Sequence, residues 1–103
     1  QQAASIQLTR DDKLRELRQM LDTEYADWQR LGERASLYES RLLPESTANA
    51  QASLNAYQSG VTEFTTLMRA RITDLDVKLD ELRVRVDRAR AQSSLLYLAG
   101  ENK

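Results

Sequence analysis

The sequence contains no cysteine and no histidine. Without these residues the chain has no disulfide, no thiol nucleophile, none of the usual zinc ligands and not the commonest general base. Hard metal ions are commonly held by glycine-containing loops with clustered acidic residues, and this sequence contains no such loop. We therefore expect no enzyme activity, no metal site and no cofactor. The lack of cysteine is also compatible with an oxidising compartment.

Glycine and proline are scarce as well, with 3 and 1 in 103 residues, too few for the turns of many short strands. Charged residues make up 30% and hydrophobic residues 41%, which is typical of long solvated helices with narrow apolar stripes. The net charge is −1, so no overall field attracts nucleic acid or an anionic membrane. No apolar run approaches the ~20 residues that span a bilayer. These features predict one all-α domain that neither binds nucleic acid nor inserts into a membrane.

A coiled-coil pattern begins near residue 10, where Thr9 and Asp11 are both suitable N-caps. Residues 1–9 lack periodicity, and we expect them to fray. Beyond them, apolar residues recur at alternating steps of three and four, which predicts a long amphipathic helix. They are Leu14, Leu17, Leu21, Trp28, Leu31, Ala35, Tyr38 and Leu42, with Glu24 at the one polar position. We interpret Trp28 as a core residue of this helix.

The last helix, predicted over 62–99, carries two apolar stripes. The first stripe, which predicts the main packing seam of the helix, consists of Met68, Ile72, Leu75, Leu79, Leu82, Val86, Ala89, Ser93 and Leu96. The second stripe recurs every seven residues on roughly the opposite side and consists of Ala70, Val77, Val84, Ala91 and Leu98. A helix in an isolated pair is polar on that side. Two stripes therefore favour a helix with a neighbour on each flank, although Val and Ala are also tolerated on surfaces.

Oppositely charged residues four positions apart predict ion pairs at exposed positions of this helix, Asp74 with Lys78 and Glu81 with Arg85. Gly100 is expected to end the helix, and 100–103 to form a polar tail.

The point where the chain reverses is not decided by periodicity. Pro44 interrupts the pattern and either kinks or ends a helix. Gly60 is suited to a left-handed C-cap, and Thr62 is a possible N-cap for the helix that follows. At ~1.5 Å per residue the shorter arm is ~50–57 Å with either reversal. Both positions remain open on physical grounds.

Three segments, 42–44, 56–60 and 64–70, read LLP, AYQSG and FTTLMRA. Together with the flanking long helices they resemble outer-membrane efflux proteins of the TolC type, over about residues 10–100. In that family three subunits form an α-helical tunnel through the periplasm of Gram-negative bacteria, and a Tyr-x-x-Gly segment is the membrane-distal tip of a helical hairpin. The resemblance implies one hairpin of a larger protomer, with self-association expected.

The resemblance also selects the reversal. It implies a hairpin over 10–99, with arm one over about 10–58 and kinked at Pro44, a tip at about 58–62, and arm two over about 62–99. In the family this tip docks a periplasmic adaptor (membrane fusion) protein. The implied docking residues are Tyr57, Ser59, Gly60, Val61, Thr62, Glu63 and Phe64. The alternative for the two aromatic residues is an ordinary turn in which they staple the arms together.

Two departures limit what the resemblance implies. The best-known members have an arginine two residues after the glycine, and aspartates six and nine after it, lining the tunnel entrance. Here those positions are Thr62, Thr66 and Arg69. Thr66 and Arg69 remain candidates for lining the entrance, but neither an arginine latch nor an acidic ring is supported. The alternative functions are a generic coiled-coil oligomerisation module and the α-hairpin of a periplasmic adaptor itself.

Overall fold

The computed structural model describes residues 2–101, so the last part of the expected polar tail lies outside the described residues. The elements are α1 (Gln2–Leu37), a π-helical segment (Tyr38–Leu42), α2 (Leu43–Gln58) and α3 (Phe64–Glu101). The first three form one arm that lies antiparallel to α3, and the molecule measures 85 × 20 × 14 Å. The predicted all-α helical hairpin is confirmed. Among the described residues, no helix is long and apolar enough to cross a membrane.

The face of α3 that packs against the other arm is not the one that the sequence predicts. Val84 of the second stripe is 4% exposed, whereas Leu75 of the first stripe is 60% exposed. The positions of α3 that face the arm, which we call the hairpin seam, alternate at steps of three and four and are buried or half-buried. They are Leu67, Ala70, Asp74, Val77, Glu81, Val84, Arg88, Ala91, Leu95 and Leu98. The first stripe faces outward instead.

Charged residues in the hairpin seam explain why sequence periodicity selects the wrong face. Asp74 accepts hydrogen bonds from Ser46 Oγ at 2.8 Å and Thr47 Oγ1 at 3.2 Å, both on α2. Its carboxylate also lies 2.9 Å from Lys78 Nζ. The hydrogen bond from Lys78, followed by that from Ser46, lowers the pKa of Asp74 below its ordinary value of 3.8. The contacts of Asp74 with the other arm are therefore specific and polar.

Both predicted ion pairs form, but their acidic members are not exposed as predicted. Asp74 and Glu81 are buried in the hairpin seam, while their basic partners are exposed. Glu81 Oε1 lies 2.6 Å from Arg85 Nε. The long basic side chains thus reach from the surface toward the seam and compensate the charges there.

A third charged position of the seam, Arg88, is held by an aromatic ring and a glycine of α1. The guanidinium carbon lies 5.1 Å from the centre of the Trp28 ring, within the range of a cation–π contact. Beside it, a Cβ on Gly32 would lie 3.2 Å from Arg88 Nη2. Gly32 therefore provides the space that lets Arg88 lie across α1, and Trp28 faces the seam as predicted.

The chain does not reverse at Pro44, which lies in the first turn of α2. The preceding turn is widened: the N–H of Leu43 donates to the carbonyl oxygen of Tyr38, five residues earlier. Because a proline ring clashes with the carbonyl four residues before it, a wider turn accommodates the ring without ending the helix. The heptad alternation then resumes at Leu43, eight rather than seven residues after Ala35.

Helix α1 begins at Gln2, before the start that the sequence predicts. Thr9 Oγ1 donates to the carbonyl oxygen of Ser5 at 2.9 Å, a contact of a helix interior, so neither Thr9 nor Asp11 is an N-cap. Residues 3–16 are helical yet exposed throughout, including Leu14 of the predicted seam. The helical run continues there without packing against α3. At the other end, α3 continues through Gly100 to Glu101.

Candidate functional site

The reversal is built on a Schellman motif at the end of α2. Gly60 has φ +75° and is the one described residue with a left-handed backbone of this kind. Its N–H donates to the carbonyl oxygen of Tyr57 at 3.0 Å, and the N–H of Val61 donates to that of Ala56 at 2.8 Å. These two bonds satisfy carbonyl groups that a helix end leaves unpaired. The glycine at this point is required by the backbone, as the sequence predicts.

The capping residue of α3 lies one position later than predicted. The helix begins at Phe64, and the carbonyl oxygen of Glu63 accepts the N–H groups of Thr66 at 3.1 Å and Leu67 at 3.3 Å. Glu63 thus occupies the capping position. The side chain of Thr62 forms no hydrogen bond with another described residue, so its predicted role as N-cap is wrong.

The two aromatic residues of the tip contact each other across the turn. The ring centres of Tyr57 and Phe64 are 5.6 Å apart with an angle of 61° between the planes, an edge-to-face arrangement. Leu67, also near this end of α3, is buried. The stapling alternative therefore describes the structure correctly. Both rings nevertheless remain exposed, so the same side chains are accessible to a partner.

The tip presents apolar surface with little charge. Val61 is 80% exposed, although the residue at this place in a Schellman motif often packs back onto its own helix. Ser59 and Glu63 are exposed and Thr62 is half-buried, and Glu63 is the single charged residue between Tyr57 and Phe64. Such a surface can bind by apolar contact and hydrogen bonds.

Thr66 and Arg69, the candidates for lining a tunnel entrance, are both exposed on the first two turns of α3. Arg69 forms no ion pair with another described residue. The structure thus leaves these side chains accessible, and their predicted role remains a prediction. Within residues 2–101, no cluster of three acidic side chains is arranged to hold a metal ion.

A second accessible surface, which the sequence assigns to the interior of the hairpin, is the first stripe. Its aliphatic members are exposed along the length of α3 although they repeat at coiled-coil spacing. Their exposure is detectable only once the hairpin seam is known. Comparison of the chain with protein-family models, with curated proteins and with solved structures finds no match.

Proposed function

We propose that this chain is a periplasmic helical hairpin of a TolC-like outer-membrane efflux duct. In this role it forms part of the wall of a helical tunnel built with other copies of the parent protein, expected as a trimer. Its tip docks a periplasmic adaptor protein. The function is structural: the hairpin binds protein partners and carries out no reaction.

The observation that supports this proposal most is the exposed first stripe of α3. Leu75, Leu79 and Leu82 are each 46–60% exposed, on a helix whose opposite face already packs against the other arm. Large aliphatic residues at heptad spacing stabilise helices by packing into a neighbouring helix. A hairpin within a tunnel wall has such neighbours on both flanks.

The tip supports the docking part of the proposal. The turn at Gly60 places exposed apolar side chains, Val61 and Phe64, at the end of a molecule 85 Å long. An apolar end with one charged residue suits contact with the end of another helical hairpin. The resemblance of the tip segment to the efflux proteins names the adaptor as that partner.

Cysteine cross-linking tests the docking. Because the chain has no cysteine of its own, single variants such as Thr62→Cys and Val61→Cys each carry one reactive thiol. We expect both to cross-link to the hairpin tip of a periplasmic adaptor in cells that produce the parent protein. Gln51→Cys, exposed in the middle of α2, is the matched control and should not react.

A binding assay then separates a tip contact from general coiled-coil association. Gly60→Leu strains the left-handed turn, and we expect it to weaken the capture of adaptor hairpins. Cross-linking of the tip variants no stronger than that of Gln51→Cys would exclude tip docking. Equal capture by the wild type and Gly60→Leu would favour a generic oligomerisation module.

A further inference from the structure

The first stripe of α3 is bordered by basic side chains on both sides. The stripe takes two positions of each heptad, and the residues that lie beside it on the helix surface are the one before the first position and the one after the second. One border consists of Arg71, Lys78 and Arg85, and the other of Arg69, Asp76, Arg83 and Arg90. All seven positions are exposed. The outward face of α3 is thus an apolar stripe between two predominantly basic borders.

The acidic residues of α3 cancel only part of this charge. Asp74 and Glu81 in the hairpin seam pair with two of the border residues, and Asp80 pairs with a third, Arg83. Three other border residues, Arg69, Arg71 and Arg90, form no ion pair with any described residue. These guanidinium groups are available to an acidic partner.

The charge pattern decides between possible occupants of the stripe. If α3 of a second copy packed face to face on it, basic borders would meet basic borders, which destabilises a coiled coil. A lipid surface suits a wide apolar face. The stripe instead occupies two positions of each heptad, the width of a seam between two helices.

We propose that the first stripe binds an amphipathic helix whose apolar heptad positions are bordered by aspartate and glutamate. Apolar contact holds that helix in place, and its acidic borders select it over helices with neutral or basic borders. The inference deepens the proposed function, in which α3 has a neighbour on each flank, by giving the chemistry of the outward neighbour. Its test needs neither an adaptor nor the parent protein, so either proposal can fail while the other succeeds.

Two synthetic peptides of roughly four heptads test the inference. Both carry leucine and isoleucine at the heptad core positions, and the border positions are all glutamate in one peptide and all lysine in the other. Fluorescence anisotropy of the labelled peptides, titrated with the 103-residue chain, measures their binding. We expect the glutamate peptide to bind about tenfold more tightly or better, and this preference to shrink as salt screens the borders.

Variants locate the binding on α3. Leu79→Gln interrupts the stripe at an exposed position and should abolish binding of the glutamate peptide. Leu37→Gln makes the same change at an exposed leucine of α1 and should leave binding unchanged. Replacing Arg69, Arg71 and Arg90 together by glutamate should make the lysine peptide the better ligand. Circular dichroism should show the same helix content in every variant.

Several results would overturn the inference. It fails if the glutamate peptide does not bind, if both peptides bind equally well, or if Leu79→Gln binds like the wild type. It also fails if sedimentation shows a dimer of the chain that Leu79→Gln dissociates, because a second copy would then occupy the stripe. Binding to vesicles containing phosphatidylserine that requires Leu79, without binding of the glutamate peptide, would assign the face to a membrane.

Discussion

The two apolar faces of α3 differ in composition and in what covers them. The hairpin seam contains leucine, valine and alanine together with three charged residues, and the first arm covers it. The first stripe contains larger aliphatic residues and is exposed. The face that is more hydrophobic in sequence is therefore the one that the hairpin leaves open. Hydrophobicity alone does not identify the face through which a helix with two apolar stripes packs within its own chain.

Two valines separated by one residue give the strongest test of this contrast. Val84 is 4% exposed in the seam and Val86 is 42% exposed on the first stripe. Val84→Asp places an unpaired charge in the seam and should lower the free energy of unfolding by about 3–5 kcal/mol. Val86→Asp should lower it by less than ~1 kcal/mol. Urea denaturation followed by circular dichroism measures both, and equal losses would mean that α3 packs through both faces in the isolated chain.

A smaller effect is expected from truncating leucines. Leu67→Ala removes a buried side chain next to the tip and should cost about 2–3 kcal/mol. Leu79→Ala removes an exposed one, and the better helix propensity of alanine should keep its effect within about 0.5 kcal/mol. Thermal unfolding of the two variants measures the difference. A larger loss for Leu79→Ala than for Leu67→Ala would reverse the assignment of the faces.

The contact between Gly32 and Arg88 predicts a coupling within the seam. Gly32→Ala gains helix propensity of about 1 kcal/mol, but its Cβ would lie 3.2 Å from Arg88 Nη2 and shift the guanidinium, which weakens its contact with Trp28, worth about 0.5–1 kcal/mol. The substitution should be nearly neutral in the wild type and stabilising in an Arg88→Ala background. A double-mutant cycle measures this coupling. Gly100→Ala, where a Cβ meets no atom within 4 Å, should have the same effect in both backgrounds.

The smallest expected effect is a dependence of the free energy of unfolding on pH, which arises from the contacts of Asp74. Because the folded-state pKa of Asp74 lies below 3.8, its stabilising contribution is present above that pH and is lost as the pH falls through the folded-state value. Ser46→Ala removes one of the responsible hydrogen bonds, so its destabilising effect should be present at neutral pH and smaller in acid. Ser40→Ala, whose hydroxyl bonds only to the backbone of its own arm, should show no such change.

Local features allowed most of the hairpin to be predicted from the sequence. The heptads of the first arm identify Leu17 to Tyr38 as its packing face, and Gly60 marks the turn because few residues other than glycine accept its backbone angle. The second stripe of α3 supplied five positions of the hairpin seam, but its charged positions were predicted to be exposed, because the contact of Asp74 with the other arm involves a residue that is distant in the chain. Ser46 lies 28 residues from Asp74 and cannot be recognised as its partner before the hairpin is known.

The tip, too, was predicted only in part from the sequence. The Schellman bonds follow from the glycine, but the position of Glu63 rather than Thr62 at the start of α3 depends on how the chain leaves the turn. The basic residues of the borders are visible in the sequence. The structure is needed to show that the first stripe, which they border, faces outward. Their role as borders of an exposed surface could therefore not be predicted from the sequence.

The wide turn before Pro44 also determines where the length of the chain can change. The Tyr38–Leu42 segment contains one residue more than an α-helix would need to keep the packing faces of α1 and α2 on the same side. Deleting one residue from this segment together with Pro44→Ala, which removes the ring that the wide turn accommodates, leaves the packing faces of α1 and α2 aligned with α3. A deletion in the middle of either long helix rotates everything beyond it by about 100° and turns its packing face away. The segment is therefore the one place in the described helices where a single-residue deletion, made together with Pro44→Ala, should keep the hairpin intact.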